Sequence, residues 1–254
     1  MTAIERRSGV AAPATYNEDR TKHPYIRPLD AATLVIVDSG HATPKVLVGR
    51  RHDKLTFMPG ALVFPGGRVE PKDSAVSPAI DIPPMLEARL MEGSPRTSRS
   101  RARALAFSAI REACEETGLC IGRKAESQMP RLPPAFQPFA DHGLVPTPSS
   151  LFLVARAITP PGRIKRYDTR FFAADASAIA HRIPNAVDAN SELVELIWVD
   201  IDAEPLSQMH AMTVRVLAHL QSLLAEGPLR HHTPVPFYRW RDGRMQAVHL
   251  TGKA

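Results

Sequence analysis

The chain has 254 residues, long enough to bury a full core, and a composition typical of a soluble globular protein apart from its 24 prolines and few aromatics. No apolar run approaches the roughly 20 residues of a membrane-spanning helix, and residues 1–15 have no apolar stretch after their charges. We therefore expect no membrane segment, no secretory signal and a cytoplasmic location. Cys114 and Cys120 lie too close together to suggest a disulfide framework, which also favours a reducing compartment.

A net charge of +6 could indicate a protein that binds nucleic acid. The arginines are scattered except in Arg96–Arg103, and no zinc spacing or aromatic-interleaved basic patch accompanies them. We interpret Arg96–Arg103 as a solvated basic loop and expect no nucleic-acid partner. A modest positive field also suits a small polyphosphate substrate.

The N-terminal residues 1–25 are polar and without periodicity, which indicates an arm. Several short segments after them are apolar and β-branched, as in strands, and are bounded by glycine or proline. The predicted strands are Thr33–Asp38, Lys45–Arg51, Ala61–Phe64, Leu151–Ala157, Thr169–Ala174 and Leu193–Val199.

Helical periodicity predicts two long helices. The first spans Arg101–Thr117 and is stopped by Gly118; the second spans Glu204–Ala225 and carries one apolar stripe. Strands on both sides of a helix, without regular βαβ alternation, favour an α/β sandwich with a mixed sheet. We expect residues 26–228 to form a single domain and residues 229–254 to be a C-terminal extension.

The first helix carries an unusual acidic face. Glu112, Glu115 and Glu116 are spaced i, i+3 and i+4, so their carboxylates share one side. Like charges at this spacing repel by about 0.2–0.5 kcal/mol per pair, and acidic groups in a last turn oppose the helix dipole. A solvated face is the ordinary alternative. A hard divalent cation, Mg²⁺ or Mn²⁺, would relieve the conflict because it prefers oxygen ligands.

A second element lies upstream, where the segment Phe57–Gly67 runs from a strand into a double-glycine loop. Glycine allows the backbone to approach a ligand or ion closely. Together, this loop and Arg111–Leu119 resemble the signature of the Nudix hydrolases: a glycine, an acidic residue six positions later, then Arg-Glu-x-x-Glu-Glu-x-Gly. Gly67 and Asp73 match the first part.

Three features depart from that signature. Asp73 replaces a glutamate, Ala113 replaces a larger aliphatic residue, and residues 74–110 stand where seven residues are usual. The long insertion, the Phe57–Gly67 string and Arg166–Phe172 resemble one branch of the family, which includes coenzyme A diphosphatases. Because the insertion, residues 74–100, divides the signature, we expect it to be a lid or recognition element.

The resemblance implies a Nudix-type α/β/α sandwich and roles for individual residues. Glu112, Glu115 and Glu116 would bind the metal with the Gly66 carbonyl, and one glutamate would orient or deprotonate the attacking water. Arg111 would pair with Asp73 and hold the loop against the helix. Further positions are expected to contact the substrate or add a carboxylate, with solvated side chains as the alternative: Arg50, Arg51, Arg68 and Glu192.

The resulting functional hypothesis is metal-assisted hydrolysis of a diphosphate linkage in a nucleoside diphosphate derivative. Coenzyme A or an acyl derivative is the substrate that the branch suggests. Two alternatives stay open: a housecleaning pyrophosphatase acting on oxidised nucleotides, ADP-ribose or NADH, and a catalytically silent module that binds a metabolite. Family members often form homodimers, so the resemblance also allows a homodimer.

Overall fold

The computed structural model describes residues 26–94, 97–126, 128–204 and 207–251. The predicted arm, residues 1–25, lies outside these ranges. The strands are β1 Leu29–Asp38, β2 Lys45–Arg51, β3 Leu62–Val63, β4 Gly66–Arg68, β5 Leu119–Lys124, β6 Leu144–Pro146, β7 Phe152–Ile158, β8 Tyr167–Asp175, β9 Ile179–Arg182, β10 Leu193–Asp200, β11 Val235–Arg241 and β12 Arg244–Leu250. The α-helices are α1 Pro84–Met91, α2 Arg99–Thr117, α3 Gln137–Asp141 and α4 Ala211–Glu226.

The main sheet is mixed, with strand order β10-β2-β1-β8-β7-β11-β12, while β3 pairs with β2 and β4 with β1. β1 runs parallel to β8 and β7 parallel to β11; the other pairings are antiparallel. A second, three-stranded sheet has the order β6-β5-β9. The mixed sheet expected from the absence of βαβ alternation is confirmed.

Alternation along β1 explains how the two faces are covered. Leu34 and Ile36 are buried on the face that packs against α2, and Val35 and Val37 on the face that packs against α4. Successive side chains of a strand point to opposite faces, so a continuous apolar run requires helices on both. The molecule is therefore the predicted α/β/α sandwich. Within the described residues, none of the helices has the length and apolarity to cross a membrane.

The strand predictions are confirmed, with end shifts of one to several residues, and β2 has the predicted bounds. The helix predicted from Glu204 begins instead at Ala211, where the His210 side chain accepts a hydrogen bond from the Met212 backbone N–H. Pro205 and Leu206, inside the predicted span, lie outside the described residues.

The insertion contributes to the hydrophobic core, so the expectation of a lid was wrong, whereas a role in recognition stays a prediction. Its apolar side chains pack with those of α2; those buried are Val76, Ile80, Ile82, Leu86 and Leu90. A segment that buries this many side chains cannot swing away without opening the core.

Arg89, on α1, ties the insertion to the C-terminal segment. Its guanidinium, 2% exposed, donates hydrogen bonds to the carbonyl oxygens of His231 (3.0 Å), Leu250 (2.9 Å) and Thr233 (3.1 Å). Leu250 ends β12, and the β11–β12 hairpin extends the main sheet beyond β7. The C-terminal residues 235–250 thus continue the sheet, and the insertion supports them.

Arg89→Leu should lower the free energy of unfolding by about 3 kcal/mol, because it leaves the buried Leu250 carbonyl and the partly buried His231 and Thr233 carbonyls without these donors. Arg99→Leu is the matched control, since Arg99 is 62% exposed in its ion pairs with Asp81 and Glu87 and should lose less than about 1 kcal/mol. Chemical denaturation of the two variants measures the difference. Equal losses would contradict the role assigned to Arg89.

Candidate active site

The acidic face of α2 is positioned by the burial of the face opposite to it. Phe107, Ile110 and Cys114 are buried, as predicted from their spacing, and the thiol of Cys114 is a core group. Gly118 ends the helix with φ of 72°, a left-handed conformation that glycine adopts without strain. The last turns of α2 are therefore held in a fixed orientation against the core.

The double-glycine loop lies directly against two of the three glutamates. The Gly66 backbone N–H donates a hydrogen bond of 2.8 Å to the Glu116 carboxylate. A Cβ atom on Gly67 would lie 2.5 Å from Cδ of Glu112, closer than atoms can pack. Gly66 and Gly67 lie in β4, which pairs with β1, so the sheet fixes the loop against the helix.

Asp73 and Arg111 form a two-pronged ion pair. Nε and Nη2 of Arg111 donate to the two carboxylate oxygens of Asp73 at 2.7 and 3.1 Å, and the side chains are 3% and 0% exposed. The Nη2 group also donates to the Arg68 carbonyl (3.1 Å), and Nη1 lies 2.9 Å from Glu112 and 2.7 Å from Glu115. Burial disfavours the charge of Arg111, but these partners raise its pKa above the ordinary value.

Two of the glutamates have perturbed pKa values. Burial, with the charge of Glu115 adding to it, raises the pKa of Glu112 to about 7 against the opposing charge of Arg111. Burial also raises the pKa of Glu116 to about 8; the Gly66 hydrogen bond opposes this shift, and the charges of Glu192 and Glu112 add to it. Close acidic groups with raised pKa values are typical of functional sites.

The other predicted contact residues separate into two groups. Arg51 pairs with Glu192 (2.9 Å), and both influence the pKa of Glu116, so they belong to the site. Arg50 instead pairs with Glu195 (2.7 Å). The exposed Arg68 side chain lines a groove of about 480 Å³ beside the beginning of α2.

The sequence analysis missed how Arg51 is held. Its Nε donates to the Phe57 carbonyl at 3.0 Å while Nη1 binds Glu192. Glu192 is far from Arg51 in the sequence, and the two meet because β10 pairs with β2. The only sequence signal was the position of Arg51 at the end of a predicted strand.

Within the described residues, no three His, Cys, Asp or Glu side chains form a cluster able to hold a metal ion by themselves. Arg111 binds Glu115, which is 44% exposed, and Glu112 and Glu116 lie against the loop. The donor chemistry nevertheless fits a hard divalent cation. Glu112 and Glu116 are acidic groups disfavoured as anions by burial, a conflict that a cation with oxygen ligands relieves.

Solved structures similar to this chain include Nudix hydrolases. No protein-family model matches the sequence, and no curated protein matches it. Among solved structures, a Nudix hydrolase from Alicyclobacillus acidocaldarius is 26% identical with a TM-score of 0.53, over 76% of this chain and 90% of that chain.

Two further solved structures are more distant. RenU, a Nudix hydrolase from M. smegmatis, is 18% identical with a TM-score of 0.41, over 81% of this chain and 91% of that one. The Nudix domain of Shewanella oneidensis NrtR, solved with ADP-ribose, is 12% identical with a TM-score of 0.41, over 82% and 94%.

The fold and the loop-helix site define a class, the hydrolases that cleave diphosphate linkages. The A. acidocaldarius protein shares the fold of this chain, so the chain has the Nudix fold, and the likeness supports a pyrophosphohydrolase of the Nudix type.

Asp73→Asn should lower the free energy of unfolding by about 3–5 kcal/mol, because it leaves the buried Arg111 charge without its main partner. Asp81→Asn is the control: Asp81 is 42% exposed in its pairs with Arg99 and Arg103, and should lose less than about 1 kcal/mol. Thermal and denaturant unfolding provide the measurement. A wild-type melting temperature for Asp73→Asn would show that the pair does not stabilise the fold.

The raised pKa of Glu116 predicts a pH-dependent stability. A carboxyl group with a higher pKa in the folded state stabilises that state fully below its unfolded value, and loses this contribution as pH rises through the folded value. As the pH rises from about 4.5 to about 8, wild-type protein without metal should therefore lose stability relative to the Glu116→Gln variant. The stability difference between the two proteins should change by at least about 1 kcal/mol between pH 5 and pH 8. A constant difference would refute the shift.

Proposed function

We propose that the enzyme hydrolyses a diphosphate linkage in a nucleoside diphosphate derivative, with Mg²⁺ or Mn²⁺ held by Glu112, Glu115 and Glu116 and the Gly66 carbonyl. The observation that carries this proposal is the contact of Glu112 and Glu116 with the Gly66–Gly67 loop. Burial raises the pKa of both side chains. Burial disfavours the charged form of these carboxylates, and a bound divalent cation would stabilise that form.

The bound cation would neutralise phosphate oxygens and make a coordinated water more acidic. The protein's own residues supply orientation and proton transfer. Arg111 orients the carboxylates of Glu112 and Glu115 and holds the preceding loop through the Arg68 carbonyl. One of the glutamates accepts the proton of the attacking water. Since positioning and electrostatics dominate phosphoryl-transfer catalysis, Arg111 contributes by keeping this arrangement rigid.

Coenzyme A or an acyl-coenzyme A is the substrate we favour, cleaved to 3′,5′-ADP and a phosphopantetheine product. The support is the resemblance of the Phe57–Gly67 string, the insertion and Arg166–Phe172 to the coenzyme A diphosphatase branch. The net charge of +6 is compatible with a substrate carrying several phosphates. A housecleaning nucleotide pyrophosphatase is the second candidate, and a silent metabolite-binding module is the third.

Glu115→Gln and Glu116→Gln should each lower turnover by about 100-fold or more while the protein stays folded, because removing one charge from an acidic cluster costs little packing. Glu126→Gln is the control, since Glu126 is 85% exposed on a distant ion pair with Arg123. Mg²⁺ should raise the melting temperature of wild-type protein more than that of Glu116→Gln. Near wild-type turnover in both variants at saturating metal would refute the assignment.

The substrate is identified by a panel of coenzyme A, acyl-coenzyme A, ADP-ribose, NADH and nucleoside triphosphates, with products determined by mass spectrometry. Release of 3′,5′-ADP from coenzyme A species supports the favoured substrate. Hydrolysis of ADP-ribose or a triphosphate without activity on coenzyme A would favour the hypothesis of a housecleaning nucleotide pyrophosphatase. Binding without hydrolysis across the panel would select the silent module.

A further inference from the structure

A second groove, of about 380 Å³, adjoins the acidic cluster. It lies between the loop after β2 and the segment that leads into β10, and its lining residues are His52, Lys54, Leu55, Asn190, Ser191 and Glu192. The groove lies next to the acidic helix in space, because Glu192 immediately precedes β10, and β10 contacts α2. A substrate whose diphosphate lies at the glutamates can therefore extend into this groove.

The two walls of the groove are tied together. Arg51 donates to the Phe57 carbonyl on one side and pairs with Glu192 on the other, and the His52 N–H donates to the Glu192 carbonyl at 2.9 Å. On the second wall, the Asp188 carboxylate accepts hydrogen bonds from the Asn190 N–H (2.8 Å) and the Ser191 hydroxyl (3.0 Å). The groove is thus a preformed site, which lowers the entropic cost of binding a ligand.

The groove offers hydrogen-bond donors and the positive charge of Lys54, while the Asp53 and Asp188 carboxylates next to its lining residues carry negative charge. The Glu192 carboxylate is neutralised by Arg51. Within the described part of the chain, the exposed Lys54 ammonium forms no ion pair, and the neighbouring Asp53 carboxylate lies beside Gly60. His52 Nδ1 accepts a hydrogen bond from the Lys54 N–H (3.0 Å), so a neutral His52 carries its proton on Nε2 and is a donor there.

We propose that this groove binds a phosphate ester carried by the substrate beyond the scissile diphosphate, with Lys54 and the Nε2–H of His52 as its ligands. Lysine is a point-charge ligand for phosphate, and a charged donor strengthens such hydrogen bonds. The proposal rests on the proposed function, since it places the rest of the substrate by the position of the diphosphate. It makes Lys54 a specificity-determining residue that selects substrates with an additional phosphate.

The test compares the binding of adenosine 3′,5′-bisphosphate and AMP, which differ by one phosphate, by calorimetry on the full chain with Mg²⁺ present. Wild-type protein should bind the bisphosphate at least about tenfold more tightly. Lys54→Glu should reduce this preference to near unity, and His52→Ala should reduce it partially. Arg244→Glu, which changes an exposed arginine of the distant β12 by the same charge, should leave it intact.

Equal affinities of the wild-type protein for the two nucleotides would overturn the proposal. A preference that persists in Lys54→Glu, or is lost equally in Arg244→Glu, would also overturn it, as would the absence of any binding at millimolar nucleotide. Failure of the proposed function has a different signature: turnover unaffected in Glu115→Gln and Glu116→Gln. The nucleotide preference is measured by binding, so each result is obtained without the other.

Discussion

The buried ion pair between Asp73 and Arg111 is the interaction on which the site depends. The Arg111 side chain is almost fully buried, so its charge must be compensated within the protein. Asp73 compensates it by accepting two hydrogen bonds. The remaining donors of the same guanidinium reach the Arg68 carbonyl and the carboxylates of Glu112 and Glu115. One side chain therefore joins the glycine loop, the segment after it and the acidic helix.

This arrangement also explains why the insertion is compatible with an intact site. The chain leaves the Asp73 region, packs Leu86 and Leu90 of α1 into the core, and returns as α2. The ion pair joins the two ends of the insertion, so Asp73 and Arg111 are adjacent in space although they are distant in sequence. In turn, the insertion gains a structural function by supporting the β11–β12 hairpin through Arg89.

The electrostatics divide the reaction site into two sides. On one side, Arg111 compensates Glu112 and Glu115; on the other, Arg51 compensates Glu192 beside Glu116. Between them, burial and mutual repulsion disfavour the charged forms of Glu112 and Glu116. The proposed cation would relieve this repulsion, and Lys54 lines the groove at Glu192.

The sequence alone determined the elements and the chemistry of the helix. Helical spacing placed Phe107 and Ile110 in the core and the three glutamates together, and β-branched runs predicted the strands, because both signals are local periodicities. These periodicities carry no information on contacts between residues distant in the chain; the Asp73–Arg111 pair was expected only from the family resemblance.

Apart from the Asp73–Arg111 pair, the tertiary structure alone decided which side chains of the site meet. It separated Arg50, held by Glu195, from Arg51, held by Glu192, although the two are adjacent in sequence; side chains of neighbouring strand residues point to opposite faces of a sheet. It also turned the insertion from an expected lid into part of the core, because the burial of Leu86 and Leu90 depends on α2 and the sheet beneath it. Pairing of β10 with β2, which brings Glu192 to the site, is a long-range contact without a local signal in the sequence.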